Sequence, residues 1–196
     1  METCLYCVRQ CFGAGRYNSG HTRLKEPPSV VLDTSYMGSD VVIVKNGRRI
    51  CGSGAALANV PIVQDKAYFE VKLQQTGSWG IGLATRRADL NRLPLGDNED
   101  SWVLRCDGKV YSNNQERARL TDVPNEGDVI GLSYDHIEMN FYLNGKNMQC
   151  PVTGIRGMLY PVFYVDDGAI MDVVFNEFFH PPPSGFNKIM IEQSLL

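Results

Sequence analysis

Short segments in which apolar and polar residues alternate run through most of the chain. In residues 67–73, Phe69, Val71 and Leu73 fall on one side, and Glu70 is among the residues on the other. Because successive side chains of a β-strand point to opposite faces of the sheet, this alternation predicts a strand with one face in the core. No segment shows a sustained 3.6-residue period, so the pattern favours strands over helices.

Residues 127–146 contain the clearest pair of alternating segments. The residues that share one face of the first segment are Ile130, Leu132 and Tyr134, and those of the second are Ile137, Met139, Phe141 and Leu143. Asn144 and Gly145 then supply the positive φ angles that a type I′ hairpin requires. The segment therefore predicts half-buried antiparallel strands and a tight turn after the second.

The remaining segments raise the number of predicted strands to about ten. They lie within residues 30–32, 41–51, 79–84, 102–111, 159–165 and 169–175. Residues 52–61 are predicted to form a loop of small residues, and residues 86–100 a polar loop. The last two strands are predicted to pair around Asp166, Asp167 and Gly168. Recurrent Asn-Gly and Asp-Gly turns favour antiparallel pairing, so the predicted fold class is an all-β, two-sheet antiparallel β-sandwich.

The composition bounds the function. The 196 residues, of which 43% are apolar, suffice for about one domain with a substantial core. The formal net charge is −3, and neighbouring basic residues occur only as Arg48-Arg49 and Arg86-Arg87. Nucleic-acid binding requires a basic patch, so no nucleic-acid partner is predicted. No run approaches the ~18–20 apolar residues of a membrane span.

Residues 1–28 differ from the rest and predict an irregular leader. They are rich in glycine, end at Pro27 and Pro28, and contain three of the six cysteines: Cys4, Cys7 and Cys11. Three interpretations stay open. The cysteines could be S-acylated and anchor a peripheral protein at a membrane, they could bind zinc with His21 as the nearest fourth ligand, or the leader has no special chemistry.

The leader and the cysteine usage also bear on organisation and location. The domain proper is predicted at residues 29–186, followed by a C-terminal segment at 187–196 that is ambiguous between strand and short helix. Cysteines are too sparse for a secreted disulfide scaffold, and no apolar secretion signal is present. We therefore expect a cytoplasmic monomer that is associated with a membrane only if the leader is acylated.

Motifs for catalysis are weak. No nucleophile elbow and no phosphate-binding loop occur. Ser133, Asp135 and His136 are close in sequence, but a single strand would send the first two to one face and His136 to the other. The sequence therefore predicts a non-enzymatic protein with no cofactor and no metal site.

Four segments resemble the SPRY (B30.2) family and occur in the order expected for it. They are AYFEV at residues 67–71, WGIGLA at 79–84, GDVIG at 127–131 with NFYLNG at 140–145, and LYPVF at 159–163. The resemblance spans residues 30–180. It implies a bent antiparallel β-sandwich with a lectin-like layout, which binds other proteins through loops at one end and is not catalytic.

The resemblance also points to a binding turn. In family members with a SOCS box, a Val-Trp-Gly turn helps to hold a bound peptide, and Asp166, Asp167 and Gly168 occupy the matching positions here. Two carboxylates replace the apolar pair, which implies a different ligand, and a basic peptide segment is one candidate. No SOCS box, RING or coiled coil accompanies the domain, so the resemblance implies no ubiquitin-ligase role.

We therefore expect a module that captures a short segment of an unknown partner protein. The predicted binding loops are residues 53–61, 86–100 and 165–168, and the predicted partner-binding residues are Asp166, Asp167, Gly168, Arg86, Arg87, Asp97, Glu99 and Asp100. One alternative is a membrane-peripheral scaffold anchored by the leader cysteines. Another is a carbohydrate-binding sandwich. That alternative needs an exposed aromatic platform, whereas Trp79 and Trp102 are predicted to lie in the core.

Overall fold

Strands make up the regular structure in the computed structural model, which describes residues 28–191. In this range the chain forms fifteen strands and no helix. The strands are β1 Leu32–Met37, β2 Asp40–Val44, β3 Arg49–Ala58, β4 Ala67–Gln75, β5 Ser78–Ala84, β6 Ser101–Arg105, β7 Lys109–Ser112, β8 Gln115–Arg119, β9 Val129–Tyr134, β10 Glu138–Leu143, β11 Lys146–Asn147, β12 Val152–Thr153, β13 Tyr160–Asp166, β14 Ile170–Val174 and β15 Asn187–Lys188. The all-β class predicted from the alternation is confirmed.

The strands form two sheets that share β3. Sheet A has the order β1–β3–β13–β5–β6–β7–β8, and sheet B has the order β2–β3–β14–β4–β9–β10. The short strands β11 and β12 both pair with β10. Strand β15 pairs with β4 in parallel, and the other pairs in the described range are antiparallel, as the turn residues predicted.

Strand β3 passes from sheet B to sheet A at Gly52 and Gly54, whose φ angles are +92° and +131°. A Cβ atom at position 52 would lie 2.3 Å from the carbonyl oxygen of Asp40, so only glycine fits where the strand bends. Residues 54–58 continue as a buried strand that pairs with β13 and β1. The loop predicted at residues 52–61 is therefore wrong for residues 52–58, which belong to β3, whereas residues 59–61 lie outside the strands. The burial of residues 54–58 leaves little of this segment available as a binding loop. Small residues there allow a bend between two packed sheets.

The strands on either side of Asp166, Asp167 and Gly168 do not pair with each other. Strand β13 lies in sheet A between β3 and β5, whereas β14 lies in sheet B between β3 and β4. The predicted pairing of these strands is therefore wrong. The turn at residues 166–168 carries the chain from one sheet to the other.

Large apolar side chains from both sheets fill the space between them. Trp79 and Phe163 come from sheet A, and Phe69 and Leu132 come from sheet B. The rings of Phe69 and Phe163 meet edge to face, with centroids 5.7 Å apart. These residues lie inside, as the alternation predicted. Ile137 does not, because β10 begins only after it, and its side chain is exposed.

Two segments partly cover the outer faces of the sheets. Residues 85–100, which connect β5 to β6, fold over sheet A and are called the cover loop. Residues 178–180, which follow β14, cross the outer face of sheet B and are called the strap. The cover loop positions several of the residues that the sequence singles out for binding.

Candidate functional site

The acidic turn, formed by Asp166, Asp167 and Gly168, has a backbone fixed by local contacts. The N–H of Ala169 donates a hydrogen bond to the carbonyl oxygen of Asp166 over 3.0 Å. A Cβ atom on Gly77 would lie 2.6 Å from the carbonyl oxygen of Asp167, so the segment before β5 packs directly against the turn. Asp167 and Gly168 both have positive φ angles, +49° and +80°. The turn is therefore held in one shape.

The two carboxylates of the acidic turn carry uncompensated charge. Asp167 is exposed, and Asp166 is half-buried at the end of β13. Within the described range, neither carboxylate lies within 4 Å of a lysine, arginine or histidine nitrogen. Two acids without a basic partner on a fixed turn attract cationic groups of a binding partner.

The middle of the cover loop lies against the outer face of sheet A. Leu90 and Leu95 are buried there in one cluster with Tyr164. The carbonyl oxygen of Leu90 accepts a hydrogen bond from the N–H of Ala55 over 2.9 Å. Ala55 is the β3 partner of Tyr164, which lies two residues before Asp166. The middle of the cover loop therefore approaches the acidic turn.

Tyr164 lies between the cover loop and sheet A and packs against both. A Cβ atom on Gly80 would lie 2.1 Å from the Tyr164 ring, so the ring lies flat on a strand that has no side chain there. Burial of the side chain raises the pKa of Tyr164 far above its ordinary value, and its hydroxyl stays neutral. Arg105 also holds the loop, because its Nε donates a hydrogen bond to the carbonyl oxygen of Leu95 over 2.9 Å.

The predicted partner-binding residues do not form one group. Asp166 pairs with Ser78 at the start of β5, whereas Tyr160 pairs with Ala84 at its end. The strand between Ser78 and Ala84 is ~20 Å long at the usual rise per residue. The structure therefore places four of the predicted residues near the end of β5 that is far from the acidic turn: Arg86, Arg87, Glu99 and Asp100. Asp97 instead pairs with Arg92 in the middle of the cover loop.

Two of these acids stabilise the cover loop itself. Asp100 Oδ1 accepts hydrogen bonds from Thr85 Oγ1 over 2.8 Å and from Arg87 Nε over 3.0 Å. Asp97 pairs with Arg92, with 2.8 Å between Oδ2 and Nε. Both carboxylates are mostly shielded from solvent, so their charge is used within the loop. Sequence reasoning identified these acids but not their internal partners.

Arg86 is held between two aromatic rings. Its guanidinium carbon lies 5.0 Å from the ring centroid of Tyr36 and 4.9 Å from that of Tyr160. The Tyr36 hydroxyl also donates a hydrogen bond to the carbonyl oxygen of Arg86 over 2.9 Å. Stacking of this kind orients the guanidinium group while leaving its charge intact.

Sequence reasoning missed a buried polar cluster on sheet B. Alternation assigns Glu70 to the outer face, yet the structure buries it completely. Its carboxylate accepts hydrogen bonds from the N–H groups of Phe179 (2.6 Å) and His180 (3.1 Å) and from the hydroxyl of Tyr68 (3.0 Å). Burial, together with the negative charge of Glu70, raises the pKa of Tyr68, so Tyr68 remains a hydrogen-bond donor.

The side chains of Ser133, Asp135 and His136 have separate partners. Ser133 Oγ is buried 3.5 Å from the hydroxyl of Tyr142, and His136 Nε2 lies 2.9 Å from the carbonyl oxygen of Gln64. Asp135 accepts hydrogen bonds from the backbone of the turn before β10. The structure thus does not bring the three together as a relay.

The structure describes some of the other predicted features, and the leader cysteines lie outside it. Trp79 and Trp102 are buried, as the alternation predicted. Residues 28–191 contain no cluster of three metal-binding side chains, and none of their segments forms a helix long and apolar enough to cross a membrane. The cysteines for which acylation is predicted, Cys4, Cys7 and Cys11, lie outside the described residues. Their acylation stays a prediction.

Comparison with known proteins identifies the class of this β-sandwich. The model of the SPRY domain family matches residues 66–178. The chain is 59% identical over 191 residues to SPRY domain-containing protein 7 of Gallus gallus, which covers 96% of each chain. It is 58% identical over 193 residues to the Homo sapiens protein of the same name, which covers 97% of each chain. The chain belongs to the SPRY domain family, whose members are generally protein-interaction modules.

A solved structure shares the fold. The crystal structure of the TRIM65 PSpry domain superposes with a TM-score of 0.61 over 76% of this chain and 91% of that one, at 15% sequence identity. Similarity at this level of identity concerns the fold alone. It agrees with the bent antiparallel sandwich that the sequence resemblance implied.

Proposed function

We propose that this domain binds a short extended segment of another protein at its acidic surface. This surface consists of the acidic turn and the middle of the cover loop, residues 88–95. The observation that carries the proposal is the pair of carboxylates on a fixed turn, with no basic side chain within 4 Å in the described part of the chain. The bound segment is expected to be basic, because such a charge raises the local concentration of cationic partners.

The rigidity of the acidic surface favours binding of a short segment. The Gly77 contact fixes the acidic turn, and the hydrogen bond between Leu90 and Ala55 fixes the loop beside it. A preformed site loses little conformational entropy when its ligand binds, so a small contact area can suffice. The general role of the SPRY family in protein interaction supports the same function.

The proposal is tested by Asp166→Asn combined with Asp167→Asn in the full chain. Asparagine removes the charge but tolerates the positive φ angle at position 167, so the turn should keep its shape and the unfolding temperature should not change. Proximity labelling in cells compares the variant with the wild type. We expect neighbours that share basic segments to be lost from the variant.

A matched control separates a specific site from a change in net charge. Asp65→Asn with Glu177→Gln removes the same charge from two exposed acids that form no side-chain hydrogen bond or ion pair in the described range, and that lie far from the acidic turn. This control should retain the neighbours. If the Asp166 and Asp167 variant also retains them, the acidic surface is not the binding site.

A further inference from the structure

A second charged surface lies at the end of β5 that is far from the acidic turn. Two adjoining clefts open there, with volumes of about 360 Å³ and about 230 Å³, and both are lined by Thr85 and Arg87. Their shared walls make them one continuous surface. We name it the arginine surface and define it by the long side chains that line it: Arg86, Arg87, Arg117, Arg156 and Met158.

Positive charge exceeds negative charge on the arginine surface. Among the described residues, three of its four arginines have no carboxylate within 4 Å, and Arg87 alone is paired, with Asp100. Glu99 is the acid that lines the larger cleft, and Asp100 lies beside it as the partner of Arg87. Four guanidinium groups therefore face two carboxylates, on a chain whose formal net charge is −3.

An apolar side chain adjoins these arginines. Met158 is 65% exposed, and the hydroxyl of Tyr160 lies 3.5 Å from its Sδ. The ring of Tyr160 also stacks on Arg86, at 4.9 Å. A thioether next to an oriented guanidinium group gives the smaller cleft both an apolar contact and a charge, since methionine adapts to varied apolar partners.

We propose that the arginine surface binds an acidic segment of a partner protein in which carboxylates lie next to apolar side chains. Carboxylates pair with Arg117 and Arg156 in the larger cleft, because a guanidinium group can donate two parallel hydrogen bonds to a carboxylate. A neighbouring apolar side chain contacts Met158 in the smaller cleft. This inference goes beyond the proposed function, because it assigns the opposite end of β5 to a ligand of opposite charge.

The composition of the surface favours a protein segment over a nucleic acid. Glu99 lines the cleft and repels a chain of phosphates, whereas separate carboxylates can be placed around it. The exposed Met158 also offers contact area that a phosphate backbone would not use. The four arginines form a patch of limited size rather than the extended basic stripe of a nucleic-acid-binding protein.

The test measures binding of a fluorescein-labelled peptide of repeated Glu-Glu-Leu-Gly to the full chain by fluorescence anisotropy. A peptide with glutamine in place of glutamate should bind at least about tenfold more weakly, since the charge-assisted hydrogen bonds are lost. Arg117→Gln with Arg156→Gln should weaken binding of the acidic peptide by a similar factor. Met158→Ser should weaken it by a smaller factor, because only the apolar contact is lost.

The control variant is Arg48→Gln with Lys188→Gln, which removes the same charge from two exposed residues away from the clefts. It should bind the acidic peptide within about twofold of the wild type, a difference below the energy of one charge-assisted hydrogen bond. The proposal would be overturned if the Arg117 and Arg156 variant and the control variant lost peptide affinity equally, or if neither lost any. So would tighter binding of a single-stranded oligonucleotide at the same arginines. Because Asp166 and Asp167 are unchanged throughout, this result is independent of the acidic surface.

Discussion

The cover loop and the strap lie on opposite faces of the sandwich and are held there by different chemistry. On sheet A, the cover loop buries Leu90 and Leu95 against apolar side chains. On sheet B, the strap is attached to the buried carboxylate of Glu70, which accepts hydrogen bonds from the N–H groups of Phe179 and His180. The cover loop adds this apolar burial to hydrogen bonds and an ion pair within the loop, whereas the backbone hydrogen bonds of the strap converge on one buried carboxylate.

This difference predicts how each cover fails. Apolar burial is non-directional and roughly proportional to area, so the loss of one side chain removes only part of it. A buried carboxylate that satisfies several donors is different, because its removal leaves those donors without any partner. We therefore expect the strap to be sensitive to one substitution, and the cover loop, which forms part of the proposed acidic surface, to lose stability more gradually.

The largest effect is expected for Glu70→Ala. The N–H groups of Phe179 and His180 and the hydroxyl of Tyr68 all lose their acceptor. At ~1–3 kcal/mol for each buried group left unsatisfied, and allowing for some access of water, the free energy of unfolding should fall by about 3 kcal/mol. Urea unfolding gives this value. Hydrogen exchange should show early loss of protection in the strap.

Glu70→Gln is the matched control. Its side-chain carbonyl oxygen can still accept a hydrogen bond from one strap N–H, so the loss should be smaller than for alanine. If the alanine variant loses less than about 1 kcal/mol, water replaces the carboxylate without penalty, and the strap is not attached through Glu70.

Glu70 also shows where sequence-based prediction stops. Alternation correctly places Phe69 inside, because a strand's own residues decide which face meets the core. It cannot predict that Glu70 is buried as well, since the strap that covers it lies 109 positions further along the chain. The prediction of a loop from the small residues of β3 is wrong for a similar reason. Only the pairing of Gly52 with β2 in sheet B and of Gly54 with β13 in sheet A shows that the segment is a bent strand and not a loop.

The candidate site was predicted to a similar extent. The family resemblance located Asp166 and Asp167 on a turn, and the turn is there. Their distance from Arg86 follows from the register between β5 and β13, which no local pattern contains. Arg117 and Arg156 were not singled out at all, because each stands alone in the sequence and only folding brings them to the same cleft.

A smaller effect is expected for Leu90→Ala in the cover loop. Removal of a buried leucine side chain costs about 2 kcal/mol where the surroundings can partly collapse, as they can in a surface loop. Hydrogen exchange should show lost protection at the N–H of Ala55, whose acceptor is the Leu90 carbonyl oxygen. The strap should keep its protection. Leu93→Ala, at a partly buried position of the same loop, is the control and should cost less.

One result for Leu90→Ala would contradict the separate stability of the cover loop and the strap. If Leu90→Ala lowers protection in the strap as much as in the cover loop, the two faces unfold together. The covers would then be parts of one cooperative unit, and the different chemistry would have no separate effect on stability.

The smallest effect is expected for the loss of stability in acid, which should begin on the outer face of sheet B and not on that of sheet A. Asp172 lies on sheet B next to the strap, with its Oδ2 2.8 Å from Arg49 Nη2 and 3.2 Å from Lys45 Nζ. Burial alone would raise the pKa of Asp172, but the hydrogen bonds from Arg49 and Lys45 outweigh it and hold this pKa below its ordinary value. A lowered pKa in the folded state stabilises the protein above the unfolded-state pKa, near 4 for an aspartate.

The stabilisation by Asp172 is therefore lost as the pH falls from about 4 through the lower folded-state pKa. Asp172→Asn should cost about 1 kcal/mol at pH 7, as expected for a partly buried ion pair, and this cost should shrink in acid. Urea unfolding at several pH values measures it. Hydrogen exchange in acid should show that the N–H groups of β14 lose protection before those of the cover loop. A cost that stays constant down to pH 3 would show that Arg49 and Lys45 do not stabilise the charged form of Asp172.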